Sequence, residues 1–171
     1  MLYIMKVIFL DIDGVLNSDN YMHELIDKNV REYENDIYQF IDENAVNIVV
    51  DLCKQYDLKL VITSSWRYNN LKYTIEMFSK PEYIKLHPLI PYIIDVTPRL
   101  FEWYDDGSVD YEDRGYEIDF WIEAQKENIE YVILDDDSDM LESQKDNFIQ
   151  INHKTGLTNN YISNIKKILN I

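Results

Sequence analysis

The chain has 171 residues, 46% of them hydrophobic and 28% charged, enough for one globular domain with its own core over residues 1–171. Its formal net charge of −16 works against long-range attraction to a polyanion, which excludes a general nucleic-acid coat while leaving room for a local basic pocket. Cys53, the only cysteine, permits neither an internal disulfide nor a cysteine-based zinc site, and no stretch reaches membrane-spanning length, so a reducing, cytoplasmic setting is expected.

From the N-terminus, Ile4 to Leu10 is apolar apart from Lys6 and reads as a strand buried on both faces. Its basic flank and small-residue cleavage site are missing, so it does not read as a signal peptide. The strand runs into Asp11-Ile12-Asp13-Gly14. Residues two apart in a strand share a face, so Asp11 and Asp13 aim at one small volume, where two carboxylates need a cation or a shared proton. With 19 aspartates, roughly two Asp-x-Asp pairs would arise by chance; the apolar strand before this one sets it apart. Gly14 lets the backbone turn sharply or approach a ligand closely.

Ala45, Val49, Leu52, Cys53 and Tyr56 recur at helical spacing, and Leu58 to Ile62 forms a second strand ending in Thr63-Ser64-Ser65. A helix over 69–78, a strand from Tyr92 to Val96 closed by Pro98, and a solvated acidic loop from Glu102 to Asp113 come next. Ile118, Trp121 and Ile122 mark a helix, Tyr131 to Leu134 a strand leading into Asp135-Asp136-Asp137-Ser138-Asp139, and Phe148 to Ile151 the last strand. A final helix carries Ile162, Ile165, Ile168 and Leu169, with Thr158 as its expected cap. Strands alternating with helices predict a Rossmann-like α/β fold, a mostly parallel sheet flanked by helices, in which ligands gather at the carboxyl ends of the strands. Three predicted strands end there in chemically useful residues.

Asp11-x-Asp13-Gly14, a Ser or Thr closing strand two, a basic residue and a later acidic pair occur in that order, and together they resemble the haloacid dehalogenase-type phosphohydrolase superfamily. More narrowly, Val61-Ile-Thr-Ser-Ser-Trp-Arg67, Arg114-Gly115-x-Glu117-Ile118 and Leu134-Asp-Asp-Asp-Ser-Asp139 resemble the phosphatase-like domain of Swiss-army-knife RNA repair proteins. They are also similar to the phosphatase half of polynucleotide kinase-phosphatases. The resemblance implies a phosphatase with a small or absent cap, acting on phosphorylated substrates such as an RNA or DNA 3′-phosphate end or a nucleotide. A small-molecule phosphatase and a non-catalytic magnesium-binding module of the same fold are the alternatives.

The inventory itself suits phosphoryl transfer, in which positioning and charge stabilisation supply most of the catalysis. Asp11 is the expected nucleophile and Asp13 the general acid and base, a task for which a free Asp, with a pKa of about 3.9, needs its proton held by its surroundings. Hard oxygen ligands and few histidines point to magnesium, held by Asp11, the Asp13 carbonyl and Asp135, with Asp136 or Asp139 completing the set. For the acidic run, and for Ser138 and Asp139 above all, decoration of a helix N-terminus is the other reading. Ser64, or Thr63 one residue earlier, would bond a phosphoryl oxygen or cap a helix. Arg114 would neutralise the phosphoryl group, Lys126 being the alternative, or form a surface ion pair. Arg67 is expected to grip substrate phosphate or stack a base, Trp66 to anchor its loop, and Lys72 or Arg99 to assist with a nucleic-acid end. No role is expected for His23, His87 or His153, and the tyrosines read as core and rim residues.

Overall fold

The computed structural model describes residues 4–28, 40–68 and 70–171. Position 69, where the helix expected over 69–78 was to begin, lies outside the described residues.

Five parallel strands form the main sheet: β1 (Ile4–Leu10), β2 (Lys59–Ile62), β3 (Ile93–Val96), β6 (Asn128–Asp135) and β7 (Phe148–Gln150), in the order β3-β2-β1-β6-β7. The strand that carries Asp11 is therefore central, flanked by the strand leading to Ser64 and the one ending at Asp135. Hydrogen bonds continue past the strand ends, with Asp11 N–H donating to the Leu134 carbonyl at 3.0 Å and Thr63 N–H to the Leu10 carbonyl at 3.0 Å. These bonds bring the three polar termini level at one edge.

Alternate residues of each central strand serve opposite faces, as the period of two requires. Ile8, Leu10, Leu60, Ile62, Val132 and Leu134 join the larger core with helix α2 (Glu43–Tyr56) and helix α5 (Ile162–Ile168). Val7, Phe9, Val61 and Ile133 pack instead on Ile118 and Trp121 of helix α4 (Arg114–Glu123), with the Phe9 and Trp121 rings edge to face at 5.4 Å. Burial on both faces explains why these strands read as unbroken apolar runs.

Two further helices, α1 (Asp19–Asp27) and α3 (Leu71–Phe78), are capped by the side chains of Ser18 and Asn70. A 3-10 run, Pro81–Tyr92, leads into β3. The predicted cap of the last helix is not made. Thr158 opens a 3-10 turn, Asn159–Tyr161, without a side-chain bond, because that turn precedes α5.

The acidic segment read as a solvated loop is a hairpin. Strand β4 (Phe101–Trp103) pairs antiparallel with β5 (Val109–Tyr111) around Gly107, whose φ of +83° the turn requires. Phe101, Trp103 and Tyr111 form an exposed ring cluster on it, with Phe101 5.8 Å from Trp103 and 6.2 Å from Tyr111. Like side chains alternating along each strand conceal such a pairing when the sequence is scanned for buried runs. No helix among the described residues is long and apolar enough to cross a membrane.

Candidate active site

Asp11 leaves the end of β1 with only 5% of its surface exposed, and Asp135 ends β6 fully buried. Carboxylate oxygens of Asp11, Asp135 and Asp136 all lie within 4.8 Å of one another. One guanidinium faces the pair: Arg114 Nη1 stands 3.6 Å from Asp11 Oδ1, and its Nε 3.8 Å from Asp135 Oδ2. These contacts are ion pairs without hydrogen bonds. Asp11 Oδ1, Asp135 Oδ2 and Arg114 Nη1 are all buried and lack a hydrogen-bonding partner.

Burial raises the Asp11 pKa, opposed by the Arg114 charge, the Ile12 amide and the Ser64 hydroxyl. The Asp135 carboxyl is pushed up to about 8, first by burial and then by the Asp11 charge. Burial also raises Asp136. Arg114 loses solvation, yet the charges of Asp11, Asp135, Glu117 and Asp139 together more than offset this and raise its pKa. One arginine thus serves three carboxylates, a deficit of positive charge at the centre of the site.

A divalent cation fits that deficit. The donors are hard oxygens, and the unpartnered Asp11 and Asp135 atoms belong to the three-carboxylate cluster. The second Asp135 oxygen accepts the Asp137 amide at 3.0 Å, which fixes that side chain. Asp139, expected to complete the metal set directly or through water, or to decorate a helix N-terminus, lies outside the three-carboxylate cluster, with its Oδ1 buried and without a hydrogen-bonding partner. Its Oδ2 accepts the Arg114 amide at 3.0 Å and its carbonyl accepts the Gly115 amide at 3.1 Å, so it secures the first turn of α4. The helix-terminus reading of this residue is the one seen, although the helix lies earlier in the chain.

Gly14 sits at φ +67°, and a Cβ there would lie 2.3 Å from Asp136 Cγ. Only glycine lets the two loops close to this distance. Its amide donates to Asn17 Oδ1 at 2.8 Å.

Asp13 lies outside the buried triad and is exposed. Its carboxylate is held by three donors from two loops: Trp66 Nε1 at 2.8 Å, Asn17 Nδ2 at 2.8 Å and the Ser65 hydroxyl at 3.4 Å. Sequence reasoning gave Trp66 a packing role and did not find Asn17. Trp66 does pack, edge to face with Tyr83 at 6.3 Å, but its indole N–H also orients Asp13. Only the fold brings those loops together.

Ser64 and Thr63 are both fully buried. The Ser64 hydroxyl helps to hold the Asp11 pKa down and accepts the Trp66 amide at 3.3 Å, whereas the Thr63 hydroxyl has no hydrogen-bonding partner. Of the two candidates, Ser64 is therefore the one beside Asp11.

Arg67, expected to grip substrate phosphate or stack a base, is 5% exposed and committed to the protein itself. It bonds the carbonyls of Thr63, Ser64, Thr97 and Pro98 and pairs with the equally buried Glu117 of α4. Burial lowers its pKa to about 10 against the Glu117 charge. The guanidinium ties the ends of β2 and β3 to the helix that carries Arg114. A signal for this existed in the sequence: Glu117 shares the apolar stripe of α4 with Ile118 and Trp121, and a carboxylate there requires a cation.

Two clefts open at this end of the sheet, and Asp13 lines the first. One, of about 470 Å3, is lined by Asp13, Gly14, Met22, Phe40, Trp66 and His153 among others. The other, of about 170 Å3, is lined by Ser65, Arg67, Arg99, Arg114, Tyr111 and Glu112, with Glu117 and Asp139.

A parallel sheet with a buried aspartate at the end of its central strand, a serine on the next strand and an arginine with an acidic run on the other side has the haloacid dehalogenase-like architecture. Within that class, residues 7–162 match the family described as the HAD domain in Swiss Army Knife RNA repair proteins, and the chain belongs to it. Nothing matches among the curated proteins or the solved structures.

Proposed function

We propose that the chain is a magnesium-dependent phosphatase that removes a terminal phosphate, with the 3′-phosphate of an RNA or DNA end as its substrate. The observation that carries this reading is the buried Asp11 carboxylate facing Arg114, with the exposed Asp13 two residues away. Membership in a family of RNA repair domains supports the choice of substrate.

Asp11 attacks phosphorus while the bond from phosphorus to the leaving oxygen breaks, giving an aspartyl-phosphate. Asp13, in its protonated form, gives its proton to the leaving oxygen, and as the carboxylate it then takes one from the water that hydrolyses the intermediate. Its three donors hold the side chain in one orientation for both transfers. Ser64 donates to a phosphoryl oxygen, and Arg114 offsets charge on the phosphoryl group and on Asp11. Magnesium, held by Asp11, Asp135 and Asp136, would supply the charge that allows a carboxylate to approach a phosphate dianion.

The 470 Å3 cleft beside Asp13 favours a second reading, a phosphatase for free nucleotides, because it is large enough for a nucleoside. The deciding experiment measures magnesium-dependent phosphate release from a 3′-phosphorylated oligonucleotide and from a mononucleotide, with Asp11→Asn as control. Release from the oligonucleotide, lost in the variant, is expected. Faster release from the mononucleotide would shift the assignment to nucleotides, and release that survives Asp11→Asn would overturn the mechanism.

A further inference from the structure

The chain contains four arginines among 171 residues. Three of them, Arg67, Arg99 and Arg114, come from separate elements and line the same 170 Å3 cleft; the fourth, Arg31, lies outside the described residues. Like charges gathered in a protein of net charge −16 need a compensating anion. Two of the three have one within the protein: Arg67 pairs with Glu117, and Arg114 with Asp11 and Asp135.

Arg99 has none. No carboxylate among the described residues forms an ion pair with it, although it is exposed in an acidic chain. Its guanidinium is nevertheless fixed, since Nη2 donates to the Ser65 carbonyl at 2.6 Å and the Arg67 carbonyl at 3.3 Å. A long side chain pinned through one nitrogen keeps its charge and remaining donors available without the usual entropic loss on binding. Ser65 connects this point to the chemistry, because its hydroxyl reaches Asp13. Arg114 lines the cleft and also faces Asp11, so cleft and phosphoryl site share a wall.

We infer that this arginine cleft is a second anion subsite, taking a second phosphate of the substrate while the terminal phosphate sits at Asp11. Glu112 and Asp139 in the lining oppose an anion, Glu117 being paired with Arg67, and Arg99 favours one because its guanidinium is held in place by backbone carbonyls and forms no ion pair with a described carboxylate. The inference rests on the phosphatase reading and narrows its substrate to molecules with two phosphates one nucleotide apart. A phosphodiester next to a 3′-phosphorylated end and a nucleoside 3′,5′-bisphosphate both supply that chemistry.

The test compares adenosine 3′-monophosphate, adenosine 3′,5′-bisphosphate and a 3′-phosphorylated dinucleotide in the wild type, Arg99→Ala, Arg99→Lys and the remote surface variant Lys145→Ala. The substrates with two phosphates should show a kcat/KM about tenfold higher, as one charge-assisted contact provides. Arg99→Ala should collapse that ratio towards one, Arg99→Lys should restore part of it, and Lys145→Ala should leave it intact. Preference for the dinucleotide over the bisphosphate identifies a strand as the source; the reverse identifies a free nucleotide. A wild-type ratio near one, or a ratio unaltered by Arg99→Ala, overturns the subsite. Calorimetric titration of the same ligands into Asp11→Asn separates the two claims. Tighter binding of the bisphosphate that disappears in the Asp11→Asn, Arg99→Ala double variant supports the subsite even if no substrate is hydrolysed, a result that would sink the phosphatase reading alone.

Discussion

Asp11 and Asp13 are two residues apart, yet they occupy opposite environments, the first buried with Arg114 and the second exposed between Trp66 and Asn17. That contrast suits a nucleophile and a proton carrier. Asp13→Asn should lower kcat by about 10²–10⁴ for an alkyl phosphate, whose leaving oxygen needs a proton. The loss should be much smaller for p-nitrophenyl phosphate, and equal losses on the two would remove Asp13 from that role. Gly14 makes a separate prediction. Gly14→Ala places a methyl against the Asp136 carboxylate and forces a left-handed conformation that costs about 1–2 kcal/mol before the clash is counted. A lower unfolding midpoint together with weaker magnesium binding is expected, and magnesium affinity equal to wild type would argue against Asp136 as a ligand.

At the scale of elements, the Arg67–Glu117 pair joins the ends of β2 and β3 to α4 and so sets Ser64 and Arg114 relative to Asp11. Arg67→Ala leaves Glu117 charged and buried, which should cost about 3 kcal/mol or more in urea unfolding. Replacing both partners, as in Arg67→Met with Glu117→Leu, should recover much of that stability while phosphate release stays low, because the carbonyls that Arg67 bonds remain unsatisfied. Full recovery of activity in the double variant would show that the pair does not position the site. The β4–β5 hairpin is the only sheet structure outside the main sheet among the described residues.

For the molecule as a whole, the buried carboxylates link stability to pH and metal. The Asp135 pKa is raised, so between the ordinary carboxylate value, about 3.9, and the raised one the folded chain holds a proton that the unfolded chain has released. The stability tied to that proton is complete at the lower pH and is lost as pH rises to about 8. Without metal, the thermal midpoint should therefore fall over this window. Magnesium requires the ionised carboxylates, so the rise in midpoint on adding it should be larger at pH 8 than at pH 6. Equal shifts at both pH values would mean that the metal binds elsewhere.

The α/β alternation, the strand that delivers Asp11 and the acidic run at Asp135 are legible in the residues alone, because burial on both faces leaves an unbroken apolar stretch and the polar residues stand out where it stops. The sequence also singles out Ser64 and Arg114 as candidates to contact the phosphoryl group. Folding settled the rest. It turned Arg67 inward to Glu117, gave Asp139 to the first turn of α4, set Trp66 and Asn17 around Asp13, and gathered Arg99 with two other arginines in one cleft. The physical reason is that a side chain's role depends on which carbonyls and charges face it across loops far apart in the chain. Local periodicity reports burial along one element and carries no record of those encounters.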